Sequence, residues 1–178
     1  QQVLRQRFKE TEPISGIEYS LVNIVCRVKP GEERRVLLGS HYDTRLWAEE
    51  DSSPSKQAEP IAGANDGTSG VAVLVEVLRS LETQPLPPGL GLDIVLFDGE
   101  EFGRPGHGGY CKGSEHFVEE LPMLCPQSLP EAAVILDMVG DRELEFKVER
   151  NSYMYAPEVV ESFWKLGEAR SAETFSQT

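Results

Sequence analysis

The chain has 178 residues, 39% of them hydrophobic, enough for one full core and too few for two domains of ordinary size. Its 30 acidic against 17 basic residues give a formal net charge of -13. That balance argues against nucleic acid and anionic membrane surfaces and favours a cationic partner, a metal or an amine. No apolar run approaches the roughly 20 residues that span a bilayer, so no membrane span is expected.

Near the start, VLRQRF alternates like a strand, and Tyr19 to Val28 with Arg35 to Ser40 predicts a hairpin around the turn KPGEE. The Glu-, Ser- and Pro-rich stretch from Leu46 to Pro60 reads as an exposed loop. Ser69 to Leu81, SGVAVLVEVLRSL, places apolar residues at helical spacing, with Glu76 and Arg79 on the other face. Beyond the proline-rich TQPLPPGLG, the run LDIVLF from Leu92 to Phe97 reads as a strand buried on both faces. A glycine-rich loop from Gly103 to Gly113 follows, then a short helix near Ser114 to Leu121. A buried strand at Ala132 to Met138, a strand ELEFKV and a helix from about Pro157 to Arg170 complete the pattern. Alternating strands and helices predict a single α/β domain, a three-layer αβα sandwich around a mostly parallel mixed sheet edged by the early hairpin. Cys26, Cys111 and Cys125 are odd in number and lack CxxC spacing, so they read as buried or half-buried thiols, not as a disulfide framework or a thiolate metal site.

In such sheets ligands bind beyond the carboxyl ends of the strands. VLLGSHYD ends in His41 and Asp43, IVLFDGEE in Glu100 and Glu101, and AVILDMVGD contains Asp137. Asp66, in GANDGTSG, lies just before the first helix. LFDGEEFG also crowds Asp98, Glu100 and Glu101 together, which like-charge repulsion disfavours unless a cation or shared protons neutralise them. Imidazole with carboxylates suits zinc, and carboxylates can bridge two such ions, whereas an all-oxygen set would point to magnesium or calcium. In the His-x-Asp pair, Asp43 sits on the same strand face as His41 and can accept its other ring N–H. Each group has an ordinary alternative: His41 a core histidine, Asp66 a helix N-cap, Asp137 a buried acid paired with a base.

GSHYDTR, GANDGTSGVAVLVEVLRSL, LFDGEEFG, KGSEHF and LDMVGD, in that order, resemble the co-catalytic zinc aminopeptidases of the bacterial leucyl aminopeptidase type and their relatives, the glutaminyl-peptide cyclotransferases. The likeness runs from about Asn23 to Asn151; HYDTR, FDGEE and LDMVGD are more similar to the cyclases, GANDGTSG to the aminopeptidases. The resemblance implies a zinc-exopeptidase-like fold that holds one or two zinc ions. Asp66 and Glu101 would be ligands, joined in the two-metal version by His41 and Asp137. Glu100 would be the catalytic acid/base, Asp43 the group orienting His41, and the Asp66–Gly67 peptide cis. In one-zinc cyclases the residue matching Asp137 is instead a proton-network partner of the glutamate. Near a strand end adjacent side chains diverge, so Glu101 can reach a metal while Glu100 faces the reacting group, and Asp98 ties down the turn. Phe102 and Tyr110, with Trp47, are expected to line a substrate pocket.

The implied activity is on peptide N-termini: cyclisation of N-terminal glutamine to pyroglutamate, or alternatively hydrolysis by a metallo-aminopeptidase, or alternatively a non-catalytic binding role for the same fold. The partner would be a peptide or small protein with a free N-terminus, and export to the periplasm or extracellular space is expected from the resemblance. One ligand departs from the family pattern, because no histidine follows Asp137, and His107 and His116 are poor substitutes. The expectation is therefore either a fragment, incomplete at both ends, or a variant with an incomplete metal site.

Overall fold

Alternating residues before and after the turn around Gly16 pair as antiparallel strands β1 (Gln2–Thr11) and β2 (Glu18–Val28). The computed structural model describes residues 1–124, 129–171 and 175, in two compact units, Gln1–Val139 and Gly140–Thr178. In the first unit β3 (Arg34–His41), helix α1 (Thr68–Ser80), β4 (Leu90–Phe97), helix α2 (Lys112–Leu124) and β5 (Ala132–Ile135) follow. The strands form one sheet in the order β1-β2-β4-β3-β5. β3, β4 and β5 run parallel, and the antiparallel β1–β2 pair edges them.

This order corrects the expected hairpin. β2 and β3 are joined through the turn at Lys29 to Glu32, but β4 inserts between them, with Ile24 opposite Leu96 on one side and Leu38 opposite Ile94 on the other. The central position of β4 explains its continuous apolar run. Leu92 and Ile94 pack against Leu74, Val77 and Leu78 of α1 and Leu81 at its C-terminal cap, while Val95 and Phe97 pack against Phe117, Leu121 and Leu124 of α2. Helices thus cover both faces, and full burial of Leu74 or Val95 contributes about 1.5–3 kcal/mol relative to exposure. Helix α1 lies close against β3 because residue 70 is glycine: a Cβ there would stand 2.2 Å from Ser40 Oγ and 2.7 Å from the Leu136 carbonyl oxygen.

The second unit contains α3 (Arg150–Tyr155) and α4 (Pro157–Ser171), with the Glu149 side chain accepting from Asn151 N and Ser152 N to cap α3. Phe163 and Trp164 of α4 pack with Phe146 and Phe175 in an aromatic cluster. The predicted strand ELEFKV is not formed; within it only Phe146 makes a bridge, to Phe175, so its alternation finds no partner strand among the described residues. No helix among them is long and apolar enough to cross a membrane.

Candidate metal centre

The parallel register builds the site. The last β3–β5 pair is Gly39 with Ile135, and two residues further along each chain lie His41 and Asp137. His41 is 3% exposed, and its Nε2 stands 3.0 Å from Asp66 Oδ1 and 3.2 Å from Asp137 Oδ1. Asp66 comes from the turn into α1, where Gly67 has φ 86°; a Cβ at Gly67 would lie 2.8 Å from the Asp43 carbonyl oxygen and 3.0 Å from His41 Cε1. Only glycine takes both the positive φ and the close approach without strain. The Asp66–Gly67 bond is trans, as are all peptides among the described residues, so the expected cis bond is not present and the glycine φ makes the turn instead. Asp66 does not cap α1, which has no side-chain cap hydrogen bond. In the first turn Ser69 Oγ donates to the Asn65 carbonyl and accepts from Val139 N, tying the Asp66 loop to the segment that carries Asp137.

Asp43 accepts hydrogen bonds from the backbone N–H groups of Glu100 (3.1 Å) and Glu101 (2.9 Å), and its Oδ1 lies 3.5 Å from His41 Nδ1. That last contact is long and poorly aligned, leaving the buried Nδ1 without a hydrogen bond of good geometry. Asp43 therefore fixes the turn bearing the two glutamates beside the imidazole. Asp98 accepts from Val22 N at 2.7 Å and ties the same turn to β2.

Glu100 and Glu101 diverge. Glu100 joins His41 and Asp137 on the wall of an open cavity of about 480 Å³ whose other walls are apolar, among them Phe97, Phe117 and Ile135. The Cys111 thiol donates to Glu100 Oε1 at 3.5 Å, and Cys111 N donates to the Glu100 carbonyl at 3.0 Å. Glu101 turns to Arg45, whose Nη1 donates to its Oε2 at 2.8 Å. Phe102 is buried, edge-on to Tyr19, and the Tyr110 hydroxyl accepts from Arg45, so neither lies on the cavity wall that Glu100 shares with His41. Trp47 stacks under the Arg104 guanidinium. His107 is exposed, and His116 stacks on Phe8, 3.5 Å from Glu120. Cys26 is half-buried as expected, Cys111 is exposed at the cavity rim, and Cys125 lies outside the described residues.

The electrostatics follow from this crowding. Burial opposes a charge on His41, but the close approach of Asp43 and the pull of Glu100 and Asp137 outweigh it and push its pKa up to about 9. Burial, then the neighbouring acids Glu101 and Asp137, raises the Glu100 pKa despite the opposing pull of His41. Burial and Glu100 push the Cys111 thiol up to about 11. His41, Asp66 and Asp137 each offer one ligand atom, all within 4.8 Å of one another, and an imidazole with carboxylates is a donor set that fits zinc. Glu101, expected in that set, stands at Arg45. Arg45 is the residue that sequence reasoning passed over, although it closes the motif GSHYDTR and pairs with both Glu49 and Glu101.

The sequence profile of Peptidase family M28 matches residues 23–178. The chain belongs to this family. It is 28% identical over 172 residues to a bovine (Bos taurus) glutaminyl-peptide cyclotransferase-like protein, covering 89% of this chain and 41% of that one. Among solved structures, the glutaminyl cyclase of Porphyromonas gingivalis superposes with TM-score 0.89 at 34% identity, covering 99% of this chain and 60% of that one. A Zn-dependent exopeptidase from Parabacteroides distasonis gives TM-score 0.89 at 30% identity, covering 99% and 61%. The M28 chain thus spans well under two thirds of these relatives, and the α/β architecture of its first unit is theirs.

Proposed function

We propose that this M28 chain forms part of a zinc-dependent enzyme acting on peptide N-termini, with cyclisation of an N-terminal glutamine as its reaction. The carrying observation is the divergence at the end of β4: Glu100, its pKa raised by burial, faces the cavity beside His41 and Asp137, while Glu101 points elsewhere. His41, Asp66 and Asp137, with Glu101 once it is freed from Arg45, are the residues that would hold zinc. Bound there, zinc supplies a Lewis acid for the substrate carbonyl oxygen. Glu100 accepts a proton from the attacking α-amine and delivers it to the departing ammonia as the ring C–N bond forms and the amide C–N bond breaks. Asp43 holds the Glu100 backbone, and Cys111 holds its carboxyl, in that position.

A second reading, hydrolysis of the N-terminal peptide bond, uses the same residues, with Glu100 taking its proton from water; the similarity to exopeptidases favours it. Assay of the full-length gene product with zinc on an N-terminal glutamine peptide and a leucyl amide separates the two. Ammonia release from the first with little cleavage of the second is expected, and the reverse would select hydrolysis. Glu100→Gln should lower turnover roughly a hundred- to ten-thousand-fold while zinc affinity by isothermal titration stays within a few fold. Asp66→Asn should weaken zinc itself.

A further inference from the structure

Arg45 stands at the end of a chain of alternating charges. Glu12, fully enclosed, pairs with Arg104 Nε at 2.9 Å; Arg104 Nη1 is 3.7 Å from Glu49 Oε1; Glu49 pairs with Arg45, and Arg45 with Glu101. The contacts of Arg45 are unequal. Its Nε and Nη2 grip both oxygens of Glu49 at 3.1 and 2.6 Å, a two-pronged hold, whereas Glu101 receives only Nη1, at 2.8 Å. Two-pronged guanidinium–carboxylate pairs are the stronger and more fixed of the two kinds. Without Glu101, the remaining groups Glu12, Arg104, Glu49 and Arg45 still balance as two acids and two bases. Glu101 itself is anchored by its backbone, through Asp43, so only its side chain must turn to change partners.

We infer that Arg45 is the exchangeable counter-ion of Glu101: it neutralises this carboxylate while the centre lacks a cation, and an incoming metal ion takes its place while Arg45 stays on Glu49. The inference rests on the reading of Glu101 as a metal ligand. Arg45 then competes with the metal, so the centre binds zinc more weakly than its ligands alone would, and the metal-free protein is spared a fully uncompensated acidic rim. Loading the site breaks one ion pair and leaves no unpaired guanidinium.

The test is isothermal titration of zinc into the full-length gene product and its variants. Arg45→Gln should tighten zinc binding by roughly tenfold, the scale of one charged hydrogen bond lost as a competitor. It should also lower the melting temperature of the metal-free protein. Arg45→Lys keeps the charge but cannot span Glu49 and Glu101 together, and should tighten binding by a smaller factor. In a Glu101→Gln background the Arg45→Gln gain should vanish. If Glu101→Gln alone leaves zinc affinity unchanged, the ligand reading fails and the inference with it. If Glu101→Gln weakens zinc but the Arg45 variants bind as the parent does, or Arg45→Gln tightens binding equally with Gln at 101, the exchange is overturned and Arg45 acts only as a distant charge.

Discussion

Both ends of the sheet carry a polar cluster, and they are composed by opposite rules. Where β3 and β4 begin, the buried Asp93 receives Arg35 Nε at 2.9 Å and Nη2 at 2.6 Å, with Arg27 Nε at 3.0 Å. Arg35, 2% exposed, sends its remaining N–H groups to the carbonyls of Lys29, Glu32, Val28 and Leu92, and the absence of a side chain at Gly91 makes room for its guanidinium. Where the same strands finish, His41 is the one basic side chain among Asp66, Asp137, Asp43 and Glu100. The carboxylate of the first cluster is matched by the chain's own guanidiniums, which lock three strands together. The second is left short of positive charge at an open cavity, and its donor set fits an external cation.

The largest effect that sharpens this contrast belongs to the closed end. Asp93→Asn leaves two guanidiniums facing each other with no carboxylate, and breaking a buried pair in this way costs about 3–5 kcal/mol, to be read as a lower denaturation midpoint with unchanged slope. Next in size is a pH effect at the open end. Because the folded protein holds the His41 proton with a pKa of about 9 against an ordinary 6.5, this group stabilises the metal-free protein fully below about 6.5, and that contribution is lost as pH rises through about 9. The melting temperature of zinc-free protein should therefore fall across this window, and His41→Gln should flatten the decline. The smallest effect is at Arg34, next in sequence to Arg35 but with its side chain 68% exposed in a pair with Glu131. Arg34→Ala should leave the denaturation midpoint almost unchanged in the same assay, because solvent screens an exposed ion pair. A loss approaching that of Asp93→Asn would erase the distinction between enclosed and surface charge.

The closed end was invisible in the sequence, and the open end was not. Asp93 interrupts an apolar run, and nothing local says that Arg27 and Arg35 will meet it from two other strands. The open end was legible because strand ends finishing in acid or imidazole converge in any parallel sheet, and His41, Asp66 and Asp137 do. Helix α1 and strand β4 were legible for a similar reason, since their periodicities report one-sided and two-sided burial. The hairpin misreading arose because the turn at KPGEE is a local signal, whereas the insertion of β4 between β2 and β3 is a long-range pairing. ELEFKV has the alternation of a strand but, among the described residues, only the single Phe146–Phe175 bridge, and alternation alone does not make a strand. The Arg45–Glu101 contact was not legible because it spans 56 residues, nor were the neighbours of Phe102 and Tyr110, because an aromatic type does not reveal which side of a turn it packs against.

Helix α1 has a further consequence through its first turn. Ser69 grips the chain at Asn65 on one side and at Val139 on the other, so the helix works as a caliper across the two aspartates. The width of its jaws is set by main-chain anchorage and by how deeply the helix is seated, which Gly70 allows against Ser40 and Leu136. A methyl group at position 70 would lift that seat and move the Leu136 carbonyl, one residue from Asp137. The spacing of the two aspartates is thus governed in part by a residue that carries no side chain.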